Sequence, residues 1–368
     1  MAVEVAQLTP PKVFPNTSLF ISTPFKDLAF YFFSVGVVLI AWFAATVLHV
    51  NSFYILATVA VVANGPHLVS TWTRVYFDKR EWRERPLLII GMPLAIATTV
   101  ILLMTFLGYT GSRILNSTIL YWATWHFVAQ NWGILRIYQR KSGEDPKSIA
   151  MRLEKPILFL FVLWCLLKRI DTGPRVLFGT EVYYFQLPSA IVDGLWGPLG
   201  FLIAVYLVQR IRERNEPWAK AAWLRAAFLL CAFIGFFVPF QCIKTDDTSA
   251  FAAAACWHGI QYLGIMRFYH LNTWKAGVHP DAKVISWLSQ PGWSRFFMYC
   301  ALLLALAGSG YVLIGGLTFA SKAVQGPAAW DQYTWAAIVW ISFTLSHYWL
   351  DGVIWKLRKP ELAARVGI

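Results

Sequence analysis

The stretch YTWAAIVWISFTLSHYWLDGVIW, residues 333–355, decides the fold. Its acidic, basic and imidazole side chains number two, His347 and Asp351, and the rest could sit in hydrocarbon. About 20 such residues in a helix cross the core of a bilayer. A spacing of four places His347 and Asp351 one turn apart on one helix face. An imidazole and a carboxylate at that depth are costly, and by default they mark a functional site.

Working outward, the same reading applies to most of the chain. Of 368 residues, 58% are hydrophobic and only 14% charged, against about 25% charged in soluble domains. Ten runs are long enough to span: 28–50, 53–76, 87–107, 115–138, 149–167, 195–208, 221–242, 250–272, 296–319 and 333–355. The sequence therefore predicts an all-α, polytopic membrane helix bundle. Alternating the loops with the N-terminus inside puts 26 of the 32 Lys and Arg residues on one side. That bias places both termini in the cytoplasm. The expected layout is a tail at 1–27, one transmembrane domain at 28–357 and a tail at 358–368, in a multi-pass protein of a bacterial inner membrane.

The net charge of +13 is thus a topology signal, and no nucleic-acid partner is expected. Five scattered cysteines without a CxxC pair read as apolar packing residues. The first 27 residues lack a signal-peptide core, so run 28–50 is expected to be a retained span. The outer loop 170–193 is apolar enough to lie in the interface or fold back as a lid, and 284–288 reads as a short interfacial helix.

Two stretches repeat one another. Trp125-His126 through Gln130, Gly133, Arg136 and Tyr138 matches Trp257-His258 through Gln261, Gly264, Arg267 and Tyr269, with one residue deleted. Pro66-His67 through Thr71, Arg74 and Tyr76 is a weaker copy, and His347 through Trp355 ends analogously. Snorkelling and aromatic belts account for the cations and aromatics at the edge. They do not account for the histidines.

His67, His126, His258 and His347 fall on the second, fourth, eighth and tenth runs, which cross in the same direction. Their depths agree within about 9 Å at 1.5 Å per residue. One such histidine alone usually serves an interhelical hydrogen bond. Four at one level, with Asp351, imply a shared partner, and a metal ion is the simplest. The predicted ligands are His67, His126, His258, His347 and Asp351. Gln130, Gln261 and Tyr262, one turn deeper, are the expected groups that orient ligands or line a substrate pocket. Thr71 lies at the same level. His270, about 18 Å further along its helix, and the edge histidine His49 are expected to stand apart. Asn64-Gly65-Pro66 should kink the second run. Asp351 is the one acidic residue expected in the membrane interior.

Imidazoles with one carboxylate suit iron, copper, zinc or manganese, and the lack of clustered thiolates argues against iron–sulfur. A site inside the bilayer implies a lipophilic small-molecule substrate drawn from among the membrane lipids. Redox chemistry on unactivated carbon calls for iron or copper with O₂. The leading expectation is a non-haem iron centre, mononuclear or di-iron, in an oxygenase, hydroxylase or desaturase. An acidic electron-transfer protein could dock on the cationic cytoplasmic face. The HxxxH and HxxHH boxes of membrane desaturases and alkane hydroxylases are absent. In layout, polytopic with scattered histidines, the chain resembles the integral-membrane carotenoid-cleaving oxygenases of the bacteriorhodopsin-related-protein type. The alternatives are a haem b redox protein and a proton- or ion-coupled transporter.

Overall fold

The computed structural model describes residues 19–173, 175–245, 247–325, 335–356 and 360–366. Residues 1–18 of the predicted N-terminal tail, residues 358–359 and 367–368 of the C-terminal one, and Tyr333 at the start of the tenth run lie outside them. The described residues form a helical membrane bundle. Its long helices are α1 (Pro24–Thr46), α2 (Ser52–Tyr76), α3 (Leu87–Lys141), α4 (Ile149–Thr172), α5 (Ser189–Arg212), α6 (Ala219–Cys242), α7 (Asp247–Thr273), α8 (Trp293–Gln325) and α9 (Trp335–Ile354). Seven are long and apolar enough to cross a membrane. The other two, α4 and α7, have spanning length. Ionic residues fill both ends of α4, and α7 carries His258 and Gln261 in its middle.

The ten runs occupy nine helices because α3 holds two. Gly108, with φ 52° and ψ −124°, breaks α3 within its 55 residues, a conformation glycine adopts without steric cost. A Cβ on Gly111 would run into the carbonyl oxygen of Leu103, whereas eight residues of continuous helix span about 12 Å. The chain therefore folds back on itself. Two contacts with neighbouring residues of α9 agree: Trp349 Nε1 donates to Leu88 O in the first arm at 3.0 Å, and Tyr348 packs on Trp122 in the second.

The predicted kink in α2 takes the form of a π-helical turn at Ala60–Asn64, just before Gly65-Pro66. Pro66 has no N–H to give and its ring crowds the preceding turn, so the helix widens there. Tyr311 Oη of α8 donates to the Ala60 carbonyl at 3.1 Å. His67 follows this widened turn and is buried.

The sixth run proves longer than expected, since α5 starts at Ser189. The outer loop does fold back. Strands β1 (Val176–Leu177) and β2 (Thr180–Glu181) pair antiparallel around Phe178 and Gly179, both at positive φ, as a two-residue hairpin requires. Phe178 packs against Phe251 and Trp340 above the histidines. On the inner side, Lys283–Leu288 is a short helix with Ile285 and Leu288 buried and Val284 exposed.

Asp351 is not alone among buried carboxylates, because Asp27, Glu144, Glu154 and Asp247 are buried too. Hydropathy cannot reveal them, because each is matched by partners distant in sequence. Asp27 accepts from Tyr138 Oη at 2.7 Å. Arg169 Nε donates to Asp247 at 2.7 Å.

Candidate metal centre

Four helices supply one imidazole each: α2 His67, the second arm of α3 His126, α7 His258 and α9 His347. All four are buried, and each offers a ring nitrogen within 4.8 Å of the others. The predicted convergence is what the structure shows. Small residues permit it. A Cβ on Gly259 would lie 3.2 Å from Ala63 O and 3.4 Å from His67 Cβ, so α7 approaches α2 closely beside His258.

His126 Nε2 and His258 Nε2 are 3.1 Å apart. The His67 ring lies edge-on to His258 and to His347, with centroids at 4.7 and 4.4 Å. Asp351 closes the ring of donors: its Oδ2 is 3.6 Å from both His126 Nε2 and His347 Nε2. Those distances exceed a hydrogen bond. Among the described residues, Asp351 Oδ2 and both nitrogens of His347 find no hydrogen-bond partner.

Buried polar atoms without partners are rare and ask for a cause. A shared ion supplies one. Metal–nitrogen bonds of about 2.0–2.1 Å keep two donors on one ion within about 4.2 Å of each other. The cluster therefore needs only a small contraction to hold an ion, and the residues present fit one.

Asp351 is held by its other oxygen. Its Oδ1 accepts from Tyr262 Oη at 2.8 Å and from Thr71 Oγ1 at 2.9 Å, and those two hydroxyl oxygens lie 2.7 Å apart. Trp355 Nε1 donates to Tyr262 Oη at 3.1 Å. This leaves Oδ2 facing the imidazoles. Partners that orient a ligand in this way are the ones that tune a metal site.

The two glutamines are placed differently from Tyr262. Gln130 Nε2 donates to the His258 carbonyl at 3.0 Å and to Gln261 Oε1 at 3.3 Å. Gln261 Nε2 donates to Asn131 Oδ1 at 3.3 Å. Both sit beside the centre, in a strut between α3 and α7, and bond no imidazole nitrogen. Gln130 also lines the cavity described below. His270 is buried against Tyr269 and Tyr299, outside the cluster, as expected.

Three residues escaped the sequence reading. Asn131 is fully buried in the glutamine strut, and Tyr348 packs on the His126 ring at 4.8 Å. Arg74, expected to be an edge cation, is buried with its guanidinium 4.0 Å from the Tyr269 ring and 4.2 Å from Trp355. For Asn131 the available signal was its place inside a repeated, otherwise apolar stretch.

A cavity of about 310 Å³ reaches the centre. His126 and Asp351 line it together with Trp122, Trp125, Gly133, Tyr348, Gly352 and Trp355. It runs between the second arm of α3 and α9, with Tyr262 and Ile265 of α7 behind. Comparison of the chain with protein-family models, curated proteins and solved structures finds no match. The site is therefore read from its own chemistry.

Proposed function

We propose that the protein is a membrane oxidoreductase whose centre, held by His67, His126, His258, His347 and Asp351, is non-haem iron, mononuclear or di-iron. It acts as an oxygenase, hydroxylase or desaturase on a lipophilic substrate. The mutual convergence of four buried imidazoles, with partnerless Asp351 Oδ2 3.6 Å from two of them, carries this reading. Imidazoles with a carboxylate suit iron. Donors packed within 4.8 Å of one another leave little room for a porphyrin among them, which favours a bare ion over haem b. The place of the centre within membrane-spanning helices favours a substrate dissolved in the membrane.

Iron bound there supplies the O₂ and redox chemistry. The chain's own residues do the rest. Tyr262 and Thr71 fix Asp351 so that one oxygen is free to act as a ligand. The packed aromatic walls keep water from the centre. Gln130, with an unpartnered Oε1 beside the cavity, can position a substrate group. The reductant is an acidic electron-transfer protein on the cationic cytoplasmic face, in the inner membrane of a bacterium. The 26-to-6 split of Lys and Arg across the two faces supports that placement.

Elemental analysis with an optical spectrum of the purified protein tests the reading. Stoichiometric iron without a Soret band is expected. Copper or zinc in its place would replace the metal, a Soret band would favour the haem reading, and a metal-free active protein would favour a carrier.

A further inference from the structure

The cavity beside the centre has a shape that selects its occupant. On α3 its lining recurs at helical spacing, as Trp122, Trp125, Ala129 and Gly133, and ends at Ile137. Fifteen residues of helix cover about 22 Å. About 310 Å³ drawn out over that length is a slot with room for one slender chain.

Glycine stands at two places in its wall. Gly133 on α3 and Gly352 on α9 both line the slot, and a Cβ on either would meet nothing within 4 Å. Trp125, 59% exposed, stands at the outer lip, and Gly352 is exposed. Both lie inside membrane-spanning helices, so the mouth opens sideways into lipid. The floor is the reverse. Asp351, 4% exposed, reaches it with Oδ2 unpartnered, and Gln130 Oε1 beside it is unpartnered too. An apolar slot with a few convergent polar groups at its base is the usual form of a ligand site.

We infer that this slot takes a single unbranched acyl chain from the bilayer, sideways, that its small section excludes branched or ring-bearing chains, and that Gly133 and Gly352 leave the room the chain occupies. His126 lies near one end of the slot, four residues from Trp122 and eleven from Ile137. The centre therefore meets the interior of the chain, with the longer part lying toward the cytoplasmic side. The inference rests on the proposed function for its chemistry but on the section of the slot for its selectivity.

Binding of radiolabelled palmitic acid, and of its branched analogue phytanic acid, to the purified full-length protein in detergent tests this. Metal content is measured on the same samples. The native protein should bind palmitate stoichiometrically and phytanate about tenfold more weakly or worse. G133L and G352L fill the slot from opposite walls, and each should lower palmitate binding about tenfold or more with metal content unchanged. G200L adds the same bulk in open space on α5 and should bind like the native protein. Native-like palmitate binding by both slot variants, or equal binding of the two acids, would overturn the inference. Metal-free protein that still shows the selectivity and the glycine dependence would sink the metal reading and leave the slot standing.

Discussion

Asp351 divides its two oxygens between two tasks. Oδ1 is held by Tyr262 and Thr71, while Oδ2 is bare and faces His126 and His347. Removing the Tyr262 hydroxyl should loosen this arrangement without emptying the site. Tyr262→Phe is expected to weaken metal affinity about 10- to 100-fold, the usual cost of losing a partner that orients a ligand, as read by chelator competition, with the helical circular dichroism unchanged. The clustered histidines were legible in the sequence because polar residues in long apolar runs stand out. The roles one turn deeper were less legible. Spacing puts Gln130, Gln261 and Tyr262 at one level, but side-chain reach sends the glutamines into an interhelical strut and only Tyr262 to Asp351. Arg74 was misread as an edge cation because a run's end and a buried cation–π sandwich look alike in one dimension.

At the scale of elements, hydropathy located the helices and missed how they are joined. Runs 87–107 and 115–138 are two arms of α3, and the seven residues between them close a reversal so tight that helical geometry is lost at Gly108 alone. Positive φ with ψ near −124° is strained for any side chain. Gly108→Ala should lower stability by roughly 1–3 kcal/mol, seen as an earlier thermal transition in detergent. Because α3 carries His126 on its second arm, metal retention should fall along with it. The π turn before Pro66 was half-legible. Proline at a helical position forces an adjustment, but nothing in the sequence distinguishes a bend from the widening that precedes His67. The 178–179 hairpin could be read only as a loop able to fold back, since its cap on Phe251 and Trp340 depends on long-range packing.

Across the whole molecule, the charged residues do more than signal topology. Arg210 and Arg225 are fully buried with Glu144 and Glu154, and they tie the end of α3 to α4, α5 and α6. Partners 56 to 81 residues apart are invisible to a positive-inside count. Glu154→Gln would leave two buried guanidinium groups short of charge and should cost about 3–5 kcal/mol, measured by denaturant or thermal unfolding in detergent. The loop residue Glu144 adds a pH dependence. Burial pushes its carboxyl up, but hydrogen bonds from Arg210 and Ser148 and the charge of Arg225 outweigh that and hold it below the ordinary 4.5. Its contribution to stability is therefore present above that value and lost as pH falls through the lower folded value. Acid unfolding of Glu144→Gln should be shallower than that of the native chain. The account as a whole stands on a metal centre at the meeting point of α2, α3, α7 and α9. X-ray absorption at the edge of the bound metal tests that most directly. It should show nitrogen and oxygen neighbours at about 2.0–2.2 Å with imidazole outer-shell scattering, and the imidazole signal and metal content should both fall in His347→Ala. A sulfur-ligated metal, or a spectrum and content unchanged in His347→Ala, would contradict it.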